Sequence, residues 1–79
     1  MVEVFKTNVN EMAEAASLTH CIHKIFPDYQ ATFDLEDCDK ILRVQCESRN
    51  VSPASLISLL SAFGFHAEIL QEDDQFTAR

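Results

Sequence analysis

The chain has little glycine, little basic charge and no tryptophan. Its 79 residues contain one glycine, two prolines and three cysteines, and 6 Lys and Arg stand against 13 Asp and Glu, which gives a formal net charge of -7. A single glycine excludes the glycine-rich loops that cradle phosphate groups. The acidic balance opposes binding to nucleic acid and to anionic membrane surfaces. We therefore expect no nucleic-acid partner.

Long apolar runs and a disulfide framework are also missing. No uninterrupted apolar stretch approaches the roughly 20 residues that span a bilayer, and the N-terminus lacks the basic start and apolar run of a secretory signal. Three widely spaced cysteines fit a reducing compartment better than a set of disulfides. The lack of a membrane-spanning run, a secretory signal and a disulfide framework predicts a cytoplasmic protein with no membrane partner. A chain of 79 residues is expected to form one domain with a small core.

The second half of the chain predicts a helix from Pro53 to Phe63. Ser52 can cap the helix with its hydroxyl oxygen, and proline is well tolerated at the first helical position. Gly64, the only glycine, lies where a left-handed C-terminal cap is wanted. Apolar side chains at helical spacing form one stripe, made of Leu56, Leu59, Leu60 and Phe63.

The first half predicts another helix, which ends at Pro27. Asn8 or Asn10 can cap its start, and Glu11 then lies in the favourable first turn. At about 100° per residue, one side of this helix is apolar. That side consists of Met12, Ala15, Ala16, Thr19, Ile22 and Phe26, extended by Leu18 and Ile25.

Four segments alternate between apolar and polar residues. This alternation predicts strands with one buried face and one solvent-exposed face. The two middle strands are joined through an acidic turn at residues 36–39. The residues predicted to face inward are Phe5, Thr7 and Val9; Tyr29, Ala31, Phe33 and Leu35; Leu42, Val44 and Cys46; and Phe65, Ala67 and Ile69.

The order of these elements is βαββαβ, in a single domain of residues 1–70. It predicts an α+β protein of the ferredoxin-like class, with a four-stranded antiparallel sheet and two helices on one face. Residues 71–79 are polar and acidic, and we expect a flexible tail there. Folds of this class host unrelated activities, so the function has to be argued from a site.

Several segments together resemble a heavy-metal-associated domain of the copper-chaperone type, over nearly all of residues 2–70. The resemblance is carried by FDLE at 33–36, ILRVQ at 41–45, the second helix and the Gly64-Phe65 junction that follows it. It implies two cysteines, spaced Cys-x-x-Cys at the start of the first helix, whose thiolates hold a soft ion such as Cu(I) or Zn(II). Those positions fall near Met12 and Ala15. Neither is a cysteine, so we expect the fold without the metal site, with both residues in the core and no cofactor.

A substitute metal site is the sharpest alternative, because His20, Cys21 and His23 lie close together in the sequence. On a helix, His20 and His23 are about 60° apart, whereas Cys21 points about 160° away from His23. At most two histidines could then share an ion, and a structural zinc site needs four ligands. We therefore interpret His23 as a packed or hydrogen-bonded ring. The alternative hypothesis is a metal-binding or metal-sensing protein that uses His20, His23 or Met12.

No grouping of nucleophile and base is expected on this fold, which argues against an enzyme. Three aliphatic side chains, Val2, Val4 and Ile41, are expected together on the open face of the sheet, where a partner could cover them. The leading hypothesis is therefore a non-enzymatic interaction or regulatory module that binds a protein partner or forms a homodimer. A third hypothesis, a sensor that binds a small molecule between subunits, has no ligand signature in the sequence.

Overall fold

The computed structural model describes residues 2–36, 38–48 and 50–70. Within these ranges the element order predicted from the sequence is confirmed. The elements are β1 (Val2–Thr7), α1 (Met12–Ile25), β2 (Gln30–Asp34), β3 (Ile41–Gln45), α2 (Pro53–Ala62) and β4 (Ala67–Ile69). The predicted tail at 71–79 and Asp37 of the acidic turn lie outside the described residues.

The strands form one four-stranded sheet in the order β2-β3-β1-β4, and every neighbouring pair is antiparallel. This α+β arrangement is compatible with the predicted ferredoxin-like fold. In the centre of the sheet Phe5 of β1 lies opposite Leu42 of β3, and neither side chain is exposed. The two edges of the sheet are formed by β2 and β4.

One hydrophobic core joins the sheet to both helices. Helix α1 contributes Ala15, Leu18 and Ile22, and helix α2 contributes Leu56 and Leu60. The sheet and its flanking residues contribute Phe5, Val9, Tyr29, Ala31, Leu42, Val44, Cys46 and Ala67. The shared core supports the arrangement of both helices on one face, which stays a prediction.

Helix α2 begins as its sequence predicts. The Ser52 hydroxyl accepts a hydrogen bond from the N–H of Ser55 at 3.4 Å, and Pro53 occupies the first turn. After the helix, Gly64 has φ +88°, the left-handed conformation expected of a C-terminal cap. The helix ends at Ala62, however, and the Phe63 side chain is 49% exposed.

Helix α1 does not begin where the sequence predicted. Its first residue is Met12, and the residue before it, Glu11, makes no capping hydrogen bond with its side chain. Asn8 extends the pairing of β1 with β4 instead, because its side-chain oxygen accepts the His66 N–H at 2.8 Å and its own N–H donates to the His66 carbonyl at 3.3 Å. The prediction that Asn8 or Asn10 caps this helix is therefore wrong.

The apolar side of α1 is narrower than predicted. The buried residues are Ala15, Leu18 and Ile22, whose spacing places them at the centre of one face. Met12 is 77% exposed and Ile25 is 55% exposed, since each lies at one end of the helix and at the margin of that face. The expectation that Met12 belongs to the core is wrong, and the same expectation for Ala15 is confirmed.

Candidate functional site

The junction between β1 and α1 is where the resemblance would place two thiolates. Met12 is the first residue of the helix and is largely exposed, and Ala15 is buried, with its N–H donating to the Glu11 carbonyl at 3.0 Å. A methionine thioether is the one soft donor at these two positions, since an alanine side chain has none. The residues present therefore do not fit a two-thiolate site for a soft ion.

His23 has a definite structural partner. Its Nε2 accepts a hydrogen bond from the N–H of Ala31 at 3.1 Å, which links helix α1 to strand β2. An ion bound at Nε2 would have to displace this bond. The interpretation of His23 as a hydrogen-bonded ring is confirmed.

The other residues of the alternative metal site do not complete a ligand set. His20 is exposed on α1, and Met12 lies two turns earlier on the same helix. In the ranges that the structure describes, no group of three or more His, Cys, Asp or Glu side chains could hold a metal ion. The same ranges contain no helix with the length and apolar character needed to cross a bilayer.

Val2, Val4 and Ile41 share the side of the sheet opposite to the core. Val2 and Val4 alternate with the buried Phe5 along β1, and Ile41 lies across from Lys6, the next residue on that side. Val2 is 49% exposed and Val4 is half-buried, but Ile41 is only 6% exposed. Ile41 therefore offers a partner little area, and the accessible apolar surface on this side comes from the two valines.

Further apolar surface lies between the helices. Two open depressions of about 480 and 390 Å³ follow the junction of α1 and α2. We call them together the helix groove. Its lining consists of Ile25, Phe26, Ala54, Ser55, Ser58 and Leu59 at one end, and of Ala13, Glu14, Ser17, Leu18, Phe63 and Phe65 at the other.

The helix groove combines exposed apolar side chains with one uncharged wall. Ile25 and Phe63 are both about half exposed, and Leu59 is partly buried against the core. Residues 50–65, which include all of α2, contain no charged residue. Surface helices of globular domains ordinarily carry charged residues on their outer face. The sequence pattern assigned Leu59 and Phe63 to the buried stripe, so this surface was not anticipated.

A polar cluster that sequence reasoning also missed lies at the end of β3. The Cys46 thiol is 3.7 Å from Oδ2 of Asp28 and 3.6 Å from the Ser48 hydroxyl, and that hydroxyl donates to the same carboxylate oxygen at 3.2 Å. Cys46 is buried, as predicted. The carboxylate comes from the loop after α1, so no local sequence pattern connects it with Cys46. These three groups include no general base beyond a carboxylate, and we interpret them as a structural link between the loop and β3.

Comparison with protein-family models, with curated proteins and with solved structures found no match.

Proposed function

We propose that this domain is a non-enzymatic protein-interaction module, built on a fold like that of heavy-metal-associated domains but without their metal site. The exposure of large apolar side chains at the helix groove carries the proposal. Ile25 and Phe63 each expose about half of their surface to water. This exposure is notable because a chain of 79 residues needs most of its apolar side chains to form a core. Ile25 lies at one end of the groove and Phe63 at the other, and exposed apolar side chains along one groove favour a protein contact.

The chemistry at the start of α1 supports the same proposal. An ion of the kind that the resemblance implies would need thiolates near Met12 and Ala15, and the chain offers one thioether there. His23 is already bonded to Ala31. The exposed Val2 on the other side of the sheet is a second, smaller contact surface.

A metal titration separates this proposal from the metal-binding hypothesis. The reduced protein is titrated with Cu(I) and with Zn(II) by calorimetry, and we expect no 1:1 binding tighter than about 10 μM. Submicromolar 1:1 binding that is lost in His23→Ala and kept in Ala16→Ser would overturn the proposal. Ala16 is a matched control because it is exposed on the same helix.

A second experiment tests the contact surface itself. Exposed side chains that serve a partner can be replaced without loss of the fold, and their replacement should weaken binding. We expect proteins from an extract of the source cells, or further copies of the chain, to bind the immobilised domain and to be lost with Phe63→Ser. Each binder should then be purified and its affinity for wild type and Phe63→Ser measured. Equal affinities for both forms would count against the helix groove as the contact surface.

A further inference from the structure

We infer that the outer face of helix α2, together with the helix groove, binds a second copy of this chain around a twofold axis. The inference deepens the proposed function, on which it rests, by naming the partner. We call this surface the α2 face. Its residues are Ala54, Ser58, Ser61 and Ala62 on the outside of the helix, with Ile25, Leu59 and Phe63 beside them.

Charge favours a second copy at this place. Two copies with a formal charge of -7 each repel one another. A twofold contact also brings the same patch of both copies together. A net charge on that patch would therefore face an equal charge of the same sign and repel it. The α2 face is the outer side of a segment, residues 50–65, that has no charged residue. Two copies can therefore approach through it without placing carboxylates opposite one another.

The shape of the helix permits a close approach. The four outward residues of α2 are alanine or serine and are all exposed. Small side chains on the outer face let a second helix backbone come near, and serine hydroxyls can form hydrogen bonds across the contact. Ser58 lies near the middle of Pro53–Ala62, so a twofold axis near Ser58 would use the whole length of the helix.

The two ends of the helix groove complement each other under this symmetry. Ile25 lies at the end beside the start of α2, and Phe63 lies at the end beside its last turn. An antiparallel contact of α2 with its copy sets the Ile25 end of one molecule toward the Phe63 end of the other. It also brings Lys24, which is exposed next to Ile25, toward Glu14 at the opposite end of the second groove. Apolar surface then meets apolar surface, and a cation meets an anion.

The length of α2 limits the strength of such a dimer. Ten residues of α-helix extend over about 15 Å. A helix of this length offers a short contact, whereas stable complexes bury more than roughly 1,000 Å² in total. We therefore expect a reversible dimer with a Kd of about 10–100 μM.

Sedimentation equilibrium over a concentration range of about 5 to 500 μM, chosen to bracket the expected Kd, tests the inference on the full chain. Wild type should change from monomer to dimer, and Ser58→Glu, which sets two carboxylates across the axis, should weaken the dimer at least tenfold. Ala16→Glu is the matched control, since it adds the same charge at an exposed position of α1 outside the groove, and it should dimerise as wild type does. Far-UV circular dichroism establishes that each variant is folded.

Cross-linking gives a second measurement that does not depend on adding a charge. In a protein carrying Cys21→Ser and Cys38→Ser, the further change Ser58→Cys should give a disulfide-linked dimer on mild oxidation. The control keeps Cys38 and has Cys21→Ser with Ser58 unchanged, and it should cross-link much more slowly, because Cys38 lies in the β2–β3 turn.

The possible failures are distinct. A strict monomer at 500 μM, or a dimer that Ser58→Glu leaves unchanged, overturns the inference. A dimer that is broken by Val2→Glu and not by Ser58→Glu also overturns it, and moves the contact to the open side of the sheet. None of these results overturns the proposed function, which fails on the metal titration. A partner's equal affinity for wild type and Phe63→Ser would count against the helix groove as the contact surface.

Discussion

The imidazole Nε2 of His23 accepts the Ala31 N–H at 3.1 Å. Ala31 belongs to β2, which forms one edge of the sheet, and outward N–H groups of an edge strand have no partner within the sheet. His23 supplies that partner from helix α1. The bond thus closes part of an edge that could otherwise pair with another strand.

Replacing His23 by alanine should lower the free energy of unfolding by about 1 kcal/mol, because the Ala31 N–H loses its acceptor. The control is His20→Ala, which removes an exposed ring from the same helix and should change stability by less than about 0.5 kcal/mol. Urea unfolding measures both. Amide hydrogen exchange should also become faster at Ala31 in the first variant only. Equal stability losses in the two variants would show that the bond contributes nothing.

The features of the fold that could be predicted are those that depend on the sequence of a single helix or strand. Alternation and helical spacing locate the strands and helices, and Ser52 and Gly64 mark the ends of α2 through chemistry that acts over a few residues. The start of α1 could not be predicted in the same way. Asn8 has two uses, a helix cap or a continued strand pairing, and the choice depends on His66, 58 residues later.

Some features of the candidate site can likewise be predicted from the sequence, and others depend on how the helices pack. The lack of thiolates near Met12 and Ala15 can be seen in the sequence alone. The exposure of Ile25 and Phe63 cannot, because helical spacing identifies an apolar side but not how far the neighbouring helix covers it. The helix groove exists because α1 and α2 leave that side partly open, which is a property of the packing.

The Tyr29 hydroxyl links the start of β2 to the start of α2. It accepts the Ser52 N–H at 2.9 Å, and Ser52 in turn caps the helix through the Ser55 N–H. Tyr29→Phe should therefore cost about 1–2 kcal/mol, since the Ser52 N–H loses its acceptor. Ser52→Ala should cost about 1 kcal/mol through loss of the cap.

A double-mutant cycle of Tyr29→Phe and Ser52→Ala tests whether the hydroxyl holds the cap in place. Residues in one hydrogen-bond chain typically show a coupling energy of about 0.5 kcal/mol or more. We expect the double variant to lose less stability than the sum of the single variants. Additive losses in thermal unfolding would mean that the helix cap forms without help from Tyr29.

Position 64 requires glycine because of its backbone conformation. A larger side chain would not be excluded by its neighbours. The φ of Gly64 is +88°, and a Cβ added there would meet no atom within 4 Å. Gly64→Ala should therefore cost about 1–2 kcal/mol, which is the backbone cost of a left-handed L-residue. Gly64→Asn should cost less, because asparagine adopts this conformation more readily. If alanine and asparagine were equally stable in chemical denaturation, the cost would not arise from the backbone angle.

Ile22 and Ile25 lie three residues apart on α1 and differ in what they contribute to the monomer. Ile22 is 0% exposed and belongs to the core, whereas Ile25 is 55% exposed at the helix groove. Ile22→Ala should lower the free energy of unfolding by about 2–5 kcal/mol through lost burial and a cavity. Ile25→Ala should lower it by less than about 1 kcal/mol, measured at about 0.5 μM, where the expected Kd leaves the chain mostly monomeric. At several hundred micromolar, Ile25→Ala should also weaken dimerisation. If Ile25→Ala destabilised the dilute monomer as much as Ile22→Ala does, the Ile25 side chain would serve the domain's own fold, and the apolar surface offered to a partner would lose one of its two main contributors.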